Sequence, residues 1–446
     1  MYKNLKHYRH TIHRYLDAIW TLSNKPKSAR TAMYRWLATQ MGLSTEDTHA
    51  SKFNREQCRK AIKILRTRYI QLYGKDLPYR NRKEKKSMKI GTSLLQEMVS
   101  KAIKGAGMNK MIPITSLLGI EIKSGILTLM TTDGSNHLRI SSKLEGDSTD
   151  FYTIVNADTF AKLIGKTSKE SIELTNEPNY LVVKGNGTYK LDVPVNEDGD
   201  IIRFPEPEAV ASVYSKEIGC EKLKNIINSA KASAAKTMEI PCLTGYYLAD
   251  KIVTTDRQMV CYIDDKLLEE PVLISSQTAE LLQILDGENV TILKDNTKLA
   301  FKTASVEIYA RELEGKDIYP VEPIENLAKL GYDSSIKVNK QDLLNILDRM
   351  ALFVNDYDKN GVFLKFSVSG LEIRSQKSNA VESIATPETN ARPEFECLAD
   401  IEMLKSQVQT ITADLVEIHY GQKTSIKLVE GNITLVMSLL DNTEQV

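Results

Sequence analysis

No stretch of this chain approaches the roughly 18 uninterrupted apolar residues that a membrane helix needs. Its first residues carry charge and aromatic rings rather than an apolar signal core, so neither a membrane partner nor secretion is expected, and the expected location is cytoplasmic. Cysteine is scarce: Cys58, Cys220, Cys242, Cys261 and Cys397 are an odd number, widely scattered, with no CxxC pair, which excludes a disulfide framework and a cysteine zinc site. Glycine and proline, 22 and 13 residues, are too few for a collagenous or linker-dominated chain. Catalytic signatures are missing as well. There is no GxxxxGK[ST], no HExxH, no nucleophile elbow and no Gly-rich strand-to-helix turn, so no enzyme and no cofactor is expected. What remains is 446 residues, 42% hydrophobic and 26% charged, a globular composition long enough for three or four domains.

The net charge of +1 conceals a division. Residues 1–87 hold 21 Lys and Arg against 6 Asp and Glu, a balance of +15, whereas the remainder holds 38 against 52, a balance of −14. Trp20 and Trp36, both tryptophans, lie in the basic part. Segments this different in charge are read as separate modules.

The basic module, residues 1–80, carries three helical patterns. Leu5, Tyr8, Ile12, Tyr15, Leu16, Ile19 and Trp20 recur at three and four residues from about Asn4 to Leu22. A second helix opens after Ser28 and places Met33, Trp36, Leu37 and Met41 on one face. A third opens on Asn54 as cap with Gln57 three residues on, and Phe53 is set to staple against Cys58. Gly74 and Pro78 end it. Opposite its apolar residues lie Arg55, Arg59, Lys60, Lys63, Arg66 and Arg68, a face suited to phosphate contact or to plain solvation. His10 and His13 share a face, but His10, His13, His49 and Cys58 include no second thiolate, and no metal is expected. HRYLDAIW, TAMYRWLATQMGL and the His49…Phe53…Cys58 spacing resemble the helical part of a zinc-finger-containing module of phage proteins. The paired cysteines that precede the helices in that family are absent, so zinc binding is not carried over. Residues 81–87 read as a cationic linker.

From Met88 onward the chain repeats itself. Leu94, Lys222 and Leu343 each begin a helical segment followed by a strand hairpin, about 120 to 130 residues apart, roughly one small domain. Between them lie three segments of a second kind, each a strand, a helix and then strands separated by turn residues: Glu177-Pro178-Asn179 and Asn186-Gly187, Asp295-Asn296, and Gly421-Gln422 with Glu430-Gly431. Asp133 and Asp256 recur at equivalent repeat positions, as turn formers rather than paired catalytic acids. A half-domain of one helix and a few strands buries too little alone, and exposed sheet edges invite pairing that closes a ring or grows a filament.

In this order and spacing, residues 88–446 resemble the DNA polymerase III beta subunit, the bacterial sliding clamp, of phage type. The resemblance rests on MKI with the Leu94 helix, Ile112-Pro113-Ile114, Leu127-Thr128-Leu129, Thr132-Asp133-Gly134, Leu243-Thr244-Gly245, Val253-Thr254-Thr255-Asp256, Asp317-Ile318-Tyr319-Pro320-Val321 and Val436-Met437-Ser438-Leu439. It implies an α+β DNA-clamp fold of three repeated domains, 88–209, 210–331 and 332–446, each of two helix-plus-sheet halves, behind a small all-α basic domain. It also implies a homodimeric ring of six domains around double-stranded DNA, a processivity factor that tethers a replicative DNA polymerase, is served by a clamp loader and catalyses nothing.

The same resemblance implies site residues. Lys101, Lys104, Lys110, Lys162, Lys166, Lys224, Lys231, Lys236, Arg349 and Lys405 sit on or beside the repeated helices and are expected to face DNA. Leu243, Thr255, Met259, Val321, Pro323, Val436, Met437, Ser438 and Leu439 are expected to line an apolar peptide groove. Thr255-Asp256-Arg257-Gln258-Met259 is one residue shorter than the family's loop and lacks its histidine, and Leu440–Val446 extends past the usual end. The alternative reading is a DNA-binding regulator whose basic module binds nucleic acid and whose clamp-like part is an oligomerisation scaffold.

Overall fold

The computed structural model describes residues 5–20, 26–73, 86–107, 111–146, 148–177, 179–196, 201–211, 213–354, 360–389 and 394–441. The chain divides into two compact units. One comprises Met1–Leu95, Gly119–Leu127 and Lys143–Phe204, and the other Gln96–Leu118, Thr128–Ser142 and Pro205–Val446.

The first unit begins with three helices, α1 (Leu5–Trp20), α2 (Pro26–Met41) and α3 (Arg55–Tyr73). The start of α3 is the expected reciprocal cap: the Asn54 N–H donates to Gln57 Oε1, and the Gln57 N–H to Asn54 Oδ1, both at 2.9 Å. Helix α2 opens on Pro26, two residues before Ser28, because proline at the first helical position loses no hydrogen bond and has the right φ. Ile12, Leu16, Leu37, Phe53, Cys58, Ala61 and Leu65 are buried in one cluster, so the module has its own core. The strand Lys86–Gly91 takes in Lys86 and Ser87 of the expected linker and pairs them with Asn176 and Thr175. It edges a four-stranded antiparallel sheet, continued by Ser171–Glu177, Tyr180–Lys184 and Thr188–Asp192. Helices α4 (Thr92–Ala102) and α5 (Ala157–Gly165) each follow directly on a strand.

The second unit carries α6 (Cys220–Ala230), α7 (Ser276–Leu282), α8 (Val321–Ala328), α9 (Lys340–Met350) and α10 (Ile401–Thr410). Four of the strand-to-helix junctions share one device, while α6 opens on Gly219, which has no side chain to cap it. The last strand-side residue turns into an N-cap: Asn156 for α5, Ser275 for α7, Asn339 for α9 and Asp400 for α10 each accept a backbone N–H of the first turn. Three of the expected turn residues take the left-handed backbone such turns use, and Pro178 lies outside the described residues. Asn296, Gly421 and Gly431 have φ of +49°, +109° and +58°.

Two strand pairs join the repeats edge to edge. Val306–Arg311 pairs with His137–Lys143, Val306 opposite Ile140. Met259–Ile263 pairs with Ile433–Ser438 inside a nine-stranded sheet. The third repeat also has a separate four-stranded sheet, edged by Val381–Ala385 on one side and Phe395–Asp400 on the other. The repeated helix-and-strand plan of the α+β expectation is present. Helix α8 is an addition: its sequence contains Pro323 and turns only Ile324 and Ala328 fully inward, too few residues for a readable period.

Candidate peptide groove and DNA-facing surface

The expected groove residues divide by depth. Leu243, Thr255, Met259, Val436 and Met437 are buried, Met437 completely, while Val321, Ser438 and Leu439 are half-buried and Pro323 is exposed. Met259 lies opposite Met437 in the central ladder of the nine-stranded sheet, and the Ser438 N–H donates to the Gln258 carbonyl at 2.9 Å. Centrality in that sheet is why Met437 reaches no surface. The surface above this floor is apolar: Leu243, Val253, Val260, Leu273, Tyr319, Ile324 and Val436 form a buried cluster, and half-buried Tyr247, Leu313, Val321 and Leu327 pack on it. Tyr247, Leu313 and Leu327 carry no signal in the sequence that sets them apart from core residues.

Helix α8 is fixed over the cluster by two groups. The buried Tyr319 hydroxyl donates toward the carbonyls of Gly245 and Val253 at 3.3 and 3.4 Å, and its ring stacks on Tyr247 with centroids 5.7 Å apart. Gly245 has no room for a Cβ, which would meet Leu313 Cδ2 at 2.8 Å and the Ile274 carbonyl at 2.9 Å. Glu325 accepts from Lys251 and Lys329, and these hydrogen bonds hold its carboxyl down to about 2.

The loop bordering this surface repeats that of the first domain. Asp256 Oδ1 accepts the N–H groups of Gln258 and Met259 at 2.9 and 2.6 Å, as Asp133 Oδ1 accepts those of Ser135 and Asn136 at 2.8 and 2.6 Å. Thr255 and Thr132 each donate a hydroxyl across the loop, to the carbonyls of Met259 and Asn136. Both aspartates are therefore turn formers. Where the first loop has Gly134 at φ +99°, the second holds Arg257 at +82°, a conformation that costs a branched backbone about 1–2 kcal/mol.

The expected DNA-facing cations also divide. Lys101 bridges Glu97 and Asp286 at 2.7 and 2.9 Å; burial opposes its charge, but these bonds outweigh it and raise its pKa. Lys162 pairs with Asp158, Lys224 with Glu221, Lys405 with Asp348, and Arg349 grips Glu382 with two nitrogens. Lys104, Lys166, Lys231 and Lys236 are exposed and make no ion pair among the described residues. Three of these four lie just past helix ends, Lys104 after α4, Lys166 at the end of α5 and Lys231 at the end of α6, where cations suit the carbonyl pole. Lys110 lies outside the described residues.

On α3, Arg59, Lys60, Lys63 and Arg66 are exposed. Arg55 and Arg68 are half-buried and lie over the rings of Tyr8 and Trp36. Among its described residues the module assembles no zinc site. Cys58 is buried with Sγ against the Phe53 carbonyl at 3.9 Å, and His49 Nδ1 lies 2.8 Å from Ser51 Oγ. No three His, Cys, Asp or Glu side chains converge among the described residues.

From residue 88 onward the architecture is the DNA-clamp fold. Residues 87–203 match the family model of the DNA polymerase III beta subunit, N-terminal domain, and residues 2–68 match that of a zinc-finger-containing domain. The beta sliding clamp of Mycoplasmopsis pulmonis is 24% identical over 279 residues, 61% of this chain and 70% of that one. That of Halalkalibacterium halodurans is 23% identical over 301 residues, 61% and 73% of the two chains. The fold matches the DNA polymerase sliding clamp of Bacillus subtilis with a TM-score of 0.69 at 18% identity, over 80% of this chain and all of that one. It matches the Thermotoga maritima DNA polymerase III beta subunit with 0.67 at 15%, over 80% and 99%. Residues 87–203 thus match the N-terminal domain of the DNA polymerase III beta subunit, and the fold from residue 88 onward is that of the solved sliding clamps.

Proposed function

We propose that the chain works as a sliding clamp in the full sense: two copies close head to tail around duplex DNA, and the apolar surface beside α8 captures short apolar segments of a polymerase or loader. One observation carries the ring. Within the chain, successive repeats are joined by antiparallel edge pairs, while the outer strands Thr188–Asp192 and Val381–Ala385 end their four-stranded sheets with mostly exposed residues. A second copy pairing edge to edge would repeat the join used inside the chain and cover an otherwise aggregation-prone edge. Leu352 and Phe353, 81% and 45% exposed just past α9, supply apolar area for such a contact.

Tethering needs adaptable apolar surface rather than reactive groups. The half-buried Tyr247, Leu313, Val321 and Leu327 provide it. The exposed lysines past the helix ends offer sequence-blind contacts to phosphate, which sliding requires. Light scattering on the full chain should give twice the 50.2 kDa chain mass. The double substitution Leu352→Glu and Phe353→Glu should give the single mass with an unchanged circular-dichroism spectrum. A wild-type monomer, or a dimer that survives the double substitution, contradicts this assembly.

A further inference from the structure

The basic module, with a balance of +12 over residues 1–80, is not required by anything a clamp does, and its charge has a definite layout. Helix α3 turns Cys58, Ala61 and Leu65 into the module's core. Arg59, Lys63 and Arg66, spaced four and three residues apart, therefore share the opposite face, with Lys60 beside them. Glu56 is the one carboxylate on the whole helix. The stripe spans about 10 Å along the helix at 1.5 Å per residue.

The aromatic rings beside these cations are already covered. Arg55 and Arg59 lie over Tyr8, with guanidinium carbons 5.9 and 5.7 Å from the ring centroid, and Arg68 lies over Trp36 at 5.6 Å. Trp20 is met by Arg30 at 5.5 Å and by the Tyr34 ring at 5.9 Å, and Tyr69 packs between Tyr15 and Tyr73. Binding a single strand calls for open rings on which bases stack. Here the rings hold arginines in place instead, and a guanidinium laid on a ring loses less freedom when it meets a phosphate.

We propose that the outer face of α3 binds the phosphate backbone of duplex DNA without reading its sequence, giving the protein a second, salt-sensitive hold on DNA beside the clamp. The occupant follows from charge: duplex DNA is a dense line of negative charge, and the module offers a line of cations with almost no carboxylates among them. The proposal stands independently of the ring, since it concerns linear duplex too short to retain a clamp.

The test uses the full chain and a labelled linear duplex of about 20 base pairs, followed by fluorescence anisotropy from about 50 to 200 mM salt. The triple substitution Arg59→Gln, Lys63→Gln and Arg66→Gln keeps helix-favouring residues at exposed positions. It should make the slope of log affinity against log salt shallower by about 2 to 3, each phosphate contact contributing about 0.9. Glu56→Lys, which adds a cation at the exposed start of α3, should steepen the slope. A single strand of the same length should bind more weakly than the duplex. Unchanged slopes in both variants would overturn the proposal and assign the charge to the clamp's own acidic residues; single-strand binding as tight as duplex binding would overturn the choice of duplex.

Discussion

Met259 and Met437 sit opposite each other across the strand pair that joins the second repeat to the third, and neither is more than 6% exposed. Two flexible thioethers thus fill a seam, with Ser406 Oγ 3.6 Å from Met259 Sδ and the buried Gln407 amide donating to the Val436 carbonyl at 3.1 Å. Met437→Ala removes packed volume at a completely buried position and is expected to lower stability by about 2–5 kcal/mol. Urea unfolding of the two proteins at neutral pH measures it; a loss below about 1 kcal/mol would mean that the seam repacks freely.

Peptide capture is better tested above that seam. Val321→Asp and Leu327→Asp alter half-buried positions on the apolar surface, where a carboxylate must be desolvated when a peptide covers it. Each should weaken binding of an apolar polymerase-type peptide at least about tenfold, with the dimer intact. Titration of the folded variants with labelled peptide decides, and unchanged affinity would remove the groove from this surface.

Arg257 occupies left-handed backbone that its counterpart Gly134 adopts without strain. Arg257→Gly should leave stability unchanged or raise it by up to about 1 kcal/mol, since relief of the 1–2 kcal/mol conformational cost is partly offset by the entropy of glycine. Gly134→Ala should lower it. Thermal melts of the two variants in parallel give the comparison; stabilisation by Gly134→Ala would contradict the loop equivalence.

The bonds from Lys251 and Lys329 hold the Glu325 carboxyl down to about 2, against 4.5 for a free glutamate. A depressed folded pKa adds stability that is complete above the unfolded value and is lost as pH falls through the folded one. Glu325→Gln should therefore differ from wild type by a constant, modest amount, under about 1 kcal/mol for a partly solvated pair, from pH 8 down to about 5. The difference should shrink as pH falls towards 2. Denaturation midpoints across that range test it, and a gap that widens in acid would have the wrong sign.

Much of the clamp-like fold could be read in the sequence because its elements are short, regular and locally signalled. Alternation in Tyr189–Val193, turn residues such as Asn296 and Gly431, and the Asn54–Gln57 cap are all local properties. What stayed hidden depends on distance along the chain. Lys101 looks like a free cation on a helix until Asp286, 185 residues away, is folded against it. Met437 looks like a groove residue until its strand is found in the middle of a nine-stranded sheet. Helix α8 owes its position to Tyr319, Ile324 and Ala328 meeting an apolar surface supplied by both neighbouring repeats, which no local period encodes.

The central claim is topological, and the most direct measurement is retention on closed against open DNA. The protein, loaded onto nicked circular duplex by the clamp loader of its replication system, is passed over a sizing column above about 200 mM salt, where phosphate contacts alone hold weakly. The account predicts that the protein stays with the circle and is lost when the same DNA is cut once with a restriction enzyme. Equal retention on the intact and the cut DNA, or equal loss from both, would contradict it.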